Sequence, residues 1–148
     1  MAKLKGKVVV DTNVILKLFF QEVDTDKADF LFQRLEAGAI EVVIPSILPV
    51  EFVNVLWVKQ RRGVVNAWTC ESILEMFLRL MSRFEIVDSA KLSGQILEAC
   101  IKHNLSAYDM TFLVLAELLE VPFITADENL YFKIGLSSKA PVLLRDIE

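Results

Sequence analysis

Residues 8–20 read "VVVDTNVILKLFF". Three consecutive valines suit a short strand buried on both faces, and "VILKLFF" suits a return to the core in a helix. Between them stand Asp11, Thr12 and Asn13. A carboxylate inserted into an apolar run needs a reason, either as a helix cap or as part of a site.

Working outward, the same alternation recurs along the chain. "DTDKADFLFQRLEAG" offers Asp24 or Thr25 as a cap, Ala28, Leu31 and Leu35 at helical spacing, and Gly38 as the stop. "IEVVIP" (40–45) reads as a second strand, and a helix through "VEFVNVLWVKQRRG" follows, ending on Lys59, Arg61 and Arg62 before Gly63. Asn66 caps the next helical stretch, "FEIV" (84–87) is a third strand, and Asp88 or Ser89 starts a helix to about His103. "SAYDMTFLVLAELLE" is a further helix, "PFIT" (122–125) a fourth strand, "DENLYFK" a short helix, and "PVLLRDI" a weak edge strand. Short apolar strands alternating with helices predict an α/β domain with a central parallel sheet of four to five strands and right-handed crossovers. Five scattered glycines make neither a phosphate-binding loop nor a dinucleotide fingerprint.

The 148 residues suffice for one core, burying roughly 70% of the unfolded surface, and no composition shift marks a boundary, so 1–148 reads as a single domain. "MAKLKGKVVV" opens like a secretory leader, but Asp11 and Lys17 cut the apolar stretch short; secretion is not expected. Charges also interrupt every apolar run before it reaches membrane-spanning length, so a cytoplasmic protein with no membrane segment is expected. Cys70 and Cys100 read as reduced thiols on helices, and His103 with Cys100 makes too few ligands for zinc. A net charge of −4 argues against a broadly basic nucleic-acid-gripping surface.

Four acids stand in unusual places. Asp11 ends the first strand, Asp127 follows the fourth, Asp109 opens the helix before that strand, and Glu51 is embedded in "ILPVEFVNVLWV". Each has a local explanation. Asp11 can cap the following helix, Ser106 and Asp109 have capping-box spacing, and so do Thr125 and Glu128 around Asp127. Glu51 has only an unidentified buried partner to explain it. Together the four fit one purpose better, because the carboxyl ends of parallel strands face the ligand crevice. Clustered carboxylates repel unless a hard cation neutralises them, and an oxygen-only donor set without histidine favours Mg²⁺ or Mn²⁺. Hydrolysis of a phosphate ester is the chemistry that such a site implies.

"VVVDTNVILKLF", "PSILPVEFVNVLW" and "LSAYDMTFLVLAELLEVPFITADENL", in that order, resemble the PIN-domain ribonucleases, most closely the VapC-type toxins of prokaryotic toxin–antitoxin pairs. The resemblance spans essentially the whole chain. It implies a three-layer α/β/α fold, Mg²⁺- or Mn²⁺-dependent cleavage of RNA, a homodimer, and a small VapB-like antitoxin covering the active-site groove. Carried over residue by residue, it makes Asp11, Glu51 and Asp109 the core metal-binding carboxylates and Asp127 the fourth acid. Thr12, Asn13, Asn54 and Thr125 become supporting residues.

Other readings are a PIN-like module that binds without hydrolysis, an RNA-processing protein that is not a toxin, and an aspartate-nucleophile phosphatase. The last normally carries a second Asp two residues after the first, where this chain has Asn13. Lys17, Arg34, Lys59, Arg61 and Arg62 are candidate phosphate contacts or ordinary solvated helix charges. Trp57, Trp68, Phe77 and Met81 are candidates for the core or for an apolar dimer patch.

Overall fold

A computed structural model of the chain describes residues 3–148. Strand β1 (Gly6–Val10) leads through helix α1 (Thr12–Leu16) to α2 (Thr25–Glu36), then β2 (Ile40–Pro45), α3 (Leu48–Arg61) and α4 (Ala67–Met81). Strand β3 (Glu85–Val87), a 3-10 turn (Ser89–Leu92), α5 (Ser93–His103) and α6 (Ala107–Leu119) follow. The chain ends with β4 (Phe123–Thr125), α7 (Glu128–Ile134) and β5 (Pro141–Leu143).

All five strands are parallel, in the order β3-β2-β1-β4-β5. The middle position explains the valine run: Val8, Val9 and Val10 are fully buried, as a strand covered by helices on both sides must be. The edge strands β3 and β5 are only three residues long. From β1 the chain moves outward to β2 and β3, then returns by α5 and α6 to lay β4 on the other side of β1. Right-handed crossovers in opposite directions place helices on both faces, the expected three-layer arrangement. The reversal falls between β1 and β4, so the crevice opens where Asp11 and Asp127 leave the sheet.

Helix α6 runs through the centre, with Met110 to Ala116 all buried, so it is apolar nearly all round. On the α3–α4 side, Phe52 stacks on Phe77 at a ring separation of 3.8 Å, and Phe19 meets Phe52 edge-on at 5.6 Å. These contacts hold α3, and with it Glu51, against α1.

Several local expectations change. Asp24 occupies the N-cap position of α2 in a left-handed conformation without a capping side-chain bond, and Thr25 Oγ1 instead accepts the Glu22 N–H at 2.9 Å. The helix expected from Asp88 begins as a 3-10 turn, capped where Asp88 Oδ1 accepts the Ala90 N–H, before α5 proper. Phe77 is core, whereas Trp57 and Trp68 are 53% and 76% exposed and so are not. Both thiols are free, Cys70 buried and Cys100 half-buried. Among the described residues, no helix is long and apolar enough to cross a membrane.

Candidate metal-dependent active site

Asp11 follows the last residue of β1, and its N–H donates to the Ile124 carbonyl of β4 at 2.9 Å. Its cap reading fails in the side chain. Asp11 holds the N-cap position of α1, where its backbone carbonyl accepts the Val14 and Ile15 N–H groups and its side chain makes no capping bond. The buried carboxylate turns elsewhere: Oδ2 accepts the Thr125 hydroxyl at 2.8 Å and the Asn13 amide at 3.3 Å. Asn13 also accepts the Ala126 N–H at 3.1 Å, and Thr125 Oγ1 accepts the Asp127 N–H at 3.1 Å. Asp11, Asn13 and Thr125 thus stitch the carboxyl ends of β1 and β4 together.

Glu51 sits in the first turn of α3, and its unidentified partner is Thr12, whose hydroxyl donates to Oε2 at 2.8 Å. Asp109 sits in the first turn of α6, where Ser106 Oγ accepts its N–H and donates to its Oδ2, both at 3.3 Å. The local reading of Asp109 therefore holds without excluding a second role. The local reading of Asp127 changes form. Asp127 itself caps α7, with Oδ1 accepting the Leu130 N–H at 3.0 Å, rather than Thr125 pairing with Glu128.

Electrostatics bind the four into one group. Burial, reinforced by the charges of Glu51 and Asp109, pushes the Asp11 carboxyl up to about 7 against the opposing Thr125 hydrogen bond. Glu51 is raised by burial and by Asp109, with the Thr12 hydroxyl opposing. Asp109 is raised by burial and by Asp127, with Ser106 and, more weakly, Lys133 opposing. None of the ion pairs among the described residues involves any of these four acids. Their partners are neutral, hydroxyls at Asp11, Glu51 and Asp109, the Asn13 amide at Asp11 and the Leu130 N–H at Asp127, and these orient a carboxylate without neutralising it.

The donors are all hard oxygens, which suits a divalent cation of the Mg²⁺ or Mn²⁺ type. As the side chains lie, however, no group of three or more His, Cys, Asp or Glu among the described residues is disposed to hold a metal ion. Asp11, Glu51 and Asp109 each rest against a hydroxyl, and Asp127 against the Leu130 N–H.

Asn54 is exposed, and no hydrogen bond ties it to the acids among the described residues. The basic candidates are largely committed elsewhere. Lys17 is buried, donating to the Val23 carbonyl at 2.8 Å and pairing with Glu22 at 3.2 Å. Arg34 donates to the Leu4 carbonyl, Lys59 lies over the Phe20 ring and 3.9 Å from Glu22, and Arg61 covers Trp57. Sequence reasoning missed the field of Lys133 on Asp109 and the hydroxyl bond from Ser106 to the Asp109 carboxylate. The three-residue spacing signalled the second; nothing local signalled the first.

The profile of the PIN domain matches residues 8–133, from β1 to the last turn of α7. Ribonuclease VapC3 of Pyrobaculum aerophilum is 25% identical over 124 residues, which cover 84% of this chain and 92% of that protein. The crystal structure of PAE2754 from Pyrobaculum aerophilum superposes with a TM-score of 0.69 at 18% identity, covering 94% of this chain and 90% of that one. A toxin–antitoxin complex from Klebsiella pneumoniae gives 0.65 at 19% identity over 93% and 97%. The two structural likenesses establish the fold, and the profile spans all four acids and the strands that bring them together: the chain belongs to the PIN domain family.

Proposed function

We propose that this protein is a divalent-cation-dependent endoribonuclease, using Mg²⁺ or Mn²⁺, and that it is the toxin of a toxin–antitoxin pair. The observation that supports this most is the state of Asp11, a buried carboxylate pushed up to about 7 beside two further acids with no cation paired to it. The 25% identity to a protein named a ribonuclease supplies the substrate class, and a structural neighbour described as a toxin–antitoxin complex supplies the biological setting. A cytoplasmic location belongs to the same proposal, since cellular RNA is the substrate proposed.

Asp11, Glu51 and Asp109 would hold the ion, with Asp127 as the fourth acid. A bound divalent cation supplies Lewis acidity and neutralises charge building on the phosphodiester. The chain's own part is positioning. Thr125 and Asn13 fix the Asp11 carboxylate, Thr12 fixes Glu51, and Ser106 fixes Asp109. The Asp127 carboxylate caps α7 through Oδ1. The antitoxin and a second copy of the chain would cover apolar side chains now facing solvent, such as Trp57, Trp68 and Leu78.

One observation favours a second reading, an RNA-binding PIN module without hydrolysis: the acids are not yet disposed to hold an ion. Purified protein incubated with RNA and Mn²⁺, with and without EDTA and beside Asp109→Asn, separates the two. The nuclease reading expects Mn²⁺-dependent cutting by wild type alone. Intact RNA throughout, across several substrates, would overturn it; equal cutting by both proteins points to a contaminant. Growth arrest on expression, relieved by the product of a neighbouring short reading frame, tests the toxin role.

A further inference from the structure

Next to Asp109 in the chain, between the starts of α3 and α6 and helix α5, lies a groove of 380 Å³ whose lining includes Ile47, Ile96, Leu97, Cys100, Tyr108 and Thr111. It adjoins the site through the chain itself. Tyr108 immediately precedes Asp109 at the start of α6, and the Ile47 carbonyl accepts the Glu51 N–H at 3.2 Å. Tyr108 is 63% exposed, and Leu97 on the facing helix is 62% exposed. No charged side chain lines the groove. Of its three hydroxyls, the two aliphatic ones donate to backbone, Thr111 to the Ala107 carbonyl at 2.7 Å and Ser93 to the Ala90 carbonyl at 2.6 Å, which leaves the Tyr108 phenol.

These features define the occupant. The chain carries a net charge of −4 and an acid cluster at its cleft, and no charged side chain lines this groove, so the groove suits an uncharged part of the nucleotide rather than a phosphate. A flat base stacked on an aromatic ring is such a part, and single-stranded RNA offers unstacked bases. We infer that this groove is a nucleobase subsite, with Tyr108 as the stacking platform for a base next to the scissile phosphate. Stacking holds a base by its face, which every base presents, so the contact is tolerant of sequence.

This inference rests on the nuclease reading, and the test separates the two. Initial rates on a single-stranded RNA oligonucleotide with Mn²⁺ are compared for wild type, Tyr108→Ala, Tyr108→Phe and Leu97→Glu, alongside anisotropy of a fluorescein-labelled copy. Stacking of one base predicts that Tyr108→Ala raises KM and weakens binding about 5- to 150-fold, with kcat nearly unchanged. Tyr108→Phe keeps wild-type values. Leu97→Glu, which puts a carboxylate on an exposed wall, weakens binding in the same way. The salt dependence of binding stays the same in Tyr108→Ala, because no phosphate contact is lost. Unchanged KM and affinity in Tyr108→Ala, while Asp109→Asn is still inactive, overturns the subsite and leaves the nuclease standing. If no RNA is cut by wild type, the nuclease reading fails, and equal anisotropy for wild type and Tyr108→Ala then disposes of the subsite as well. A change of oligomeric state in Tyr108→Ala by light scattering, with RNA affinity intact, assigns the groove to a second copy instead.

Discussion

Removing the charge of Asp11 should stabilise the metal-free protein while destroying its activity. The ordinary Asp value is 3.8 and the folded-state value about 7. The folded protein therefore holds this proton more tightly than the unfolded chain does. Stability associated with the protonated carboxyl is complete below 3.8, falls as pH rises from there to about 7, and does not change further above that. At about 1.4 kcal/mol per pKa unit, the ionised carboxylate destabilises the metal-free fold by about 4 kcal/mol, of which about 3 kcal/mol develops between pH 5 and pH 9. In Asp11→Asn the Thr125 and Asn13 donors, which meet at one oxygen, still find an amide oxygen there.

The assay is urea unfolding in EDTA at pH 5, 7 and 9 for wild type and Asp11→Asn. The difference in stability should move in favour of the variant by about 3 kcal/mol across that range, a midpoint shift of about 1.5 M for a urea slope near 2 kcal/mol/M. Adding Mg²⁺ or Mn²⁺ at pH 8 should raise the wild-type midpoint and leave the variant's in place, since only the native carboxylate set gains from the ion. A difference that stays flat from pH 5 to 9, or a variant less stable than wild type at pH 9, would refute the claim that burial and neighbouring acids hold Asp11 in an unfavourable charge state.

Three further outcomes are expected. Glu51→Gln should lower cleavage by at least about a hundredfold, the upper end for groups that merely orient ligands, with the fold intact by circular dichroism. Thr12→Val should lower cleavage about 10- to 100-fold by freeing Glu51, and its loss should appear in Mn²⁺ titrations as weaker ion dependence. Phe52→Ala should destabilise the protein by about 3–5 kcal/mol in thermal or urea unfolding, because it removes the ring stacked between α3 and α4.

The parts of the fold that rest on neighbours in sequence were readable from sequence. Val8 to Val10 announced a buried strand, Asn66 and Ser106 announced helix starts, and the helical period carried α2 and α4. The four acids were also readable, because each breaks a local pattern at the end of a strand or the start of a helix. Their partners were not. Thr12 and Glu51 are 39 residues apart and meet only because α1 packs on α3. The Thr125 hydroxyl reaches Asp11 across 114 positions only because β4 joins the sheet beside β1 rather than beyond β3. Exposure was left open for a related reason. Trp57 and Trp68 are apolar and helical, but which helix face meets the core depends on the neighbour it packs against.

The choice of hydroxyls as partners is the strongest physical argument that the four acids form a site rather than a structural accident. An acid retained for stability at a buried position is ordinarily paired with Arg or Lys, because truncating or omitting one partner leaves a charge that costs several kcal/mol. This chain has 16 lysines and arginines, and Lys17 shows that it can bury one and pair it with Glu22. Yet Asp11, Glu51 and Asp109 receive Thr125, Thr12 and Ser106, groups that set direction and leave the charge in place. Among the described residues Lys133 is the one cation whose field eases the group, and it does so weakly, at Asp109 alone. An arrangement that fixes the geometry of several carboxylates while withholding neutralisation is unfavourable by itself and favourable once a cation arrives. The mutual repulsion then becomes the affinity and the selectivity for an ion of high charge, and the stability expected to be lost at Asp11 is the part of that affinity visible before the ion binds.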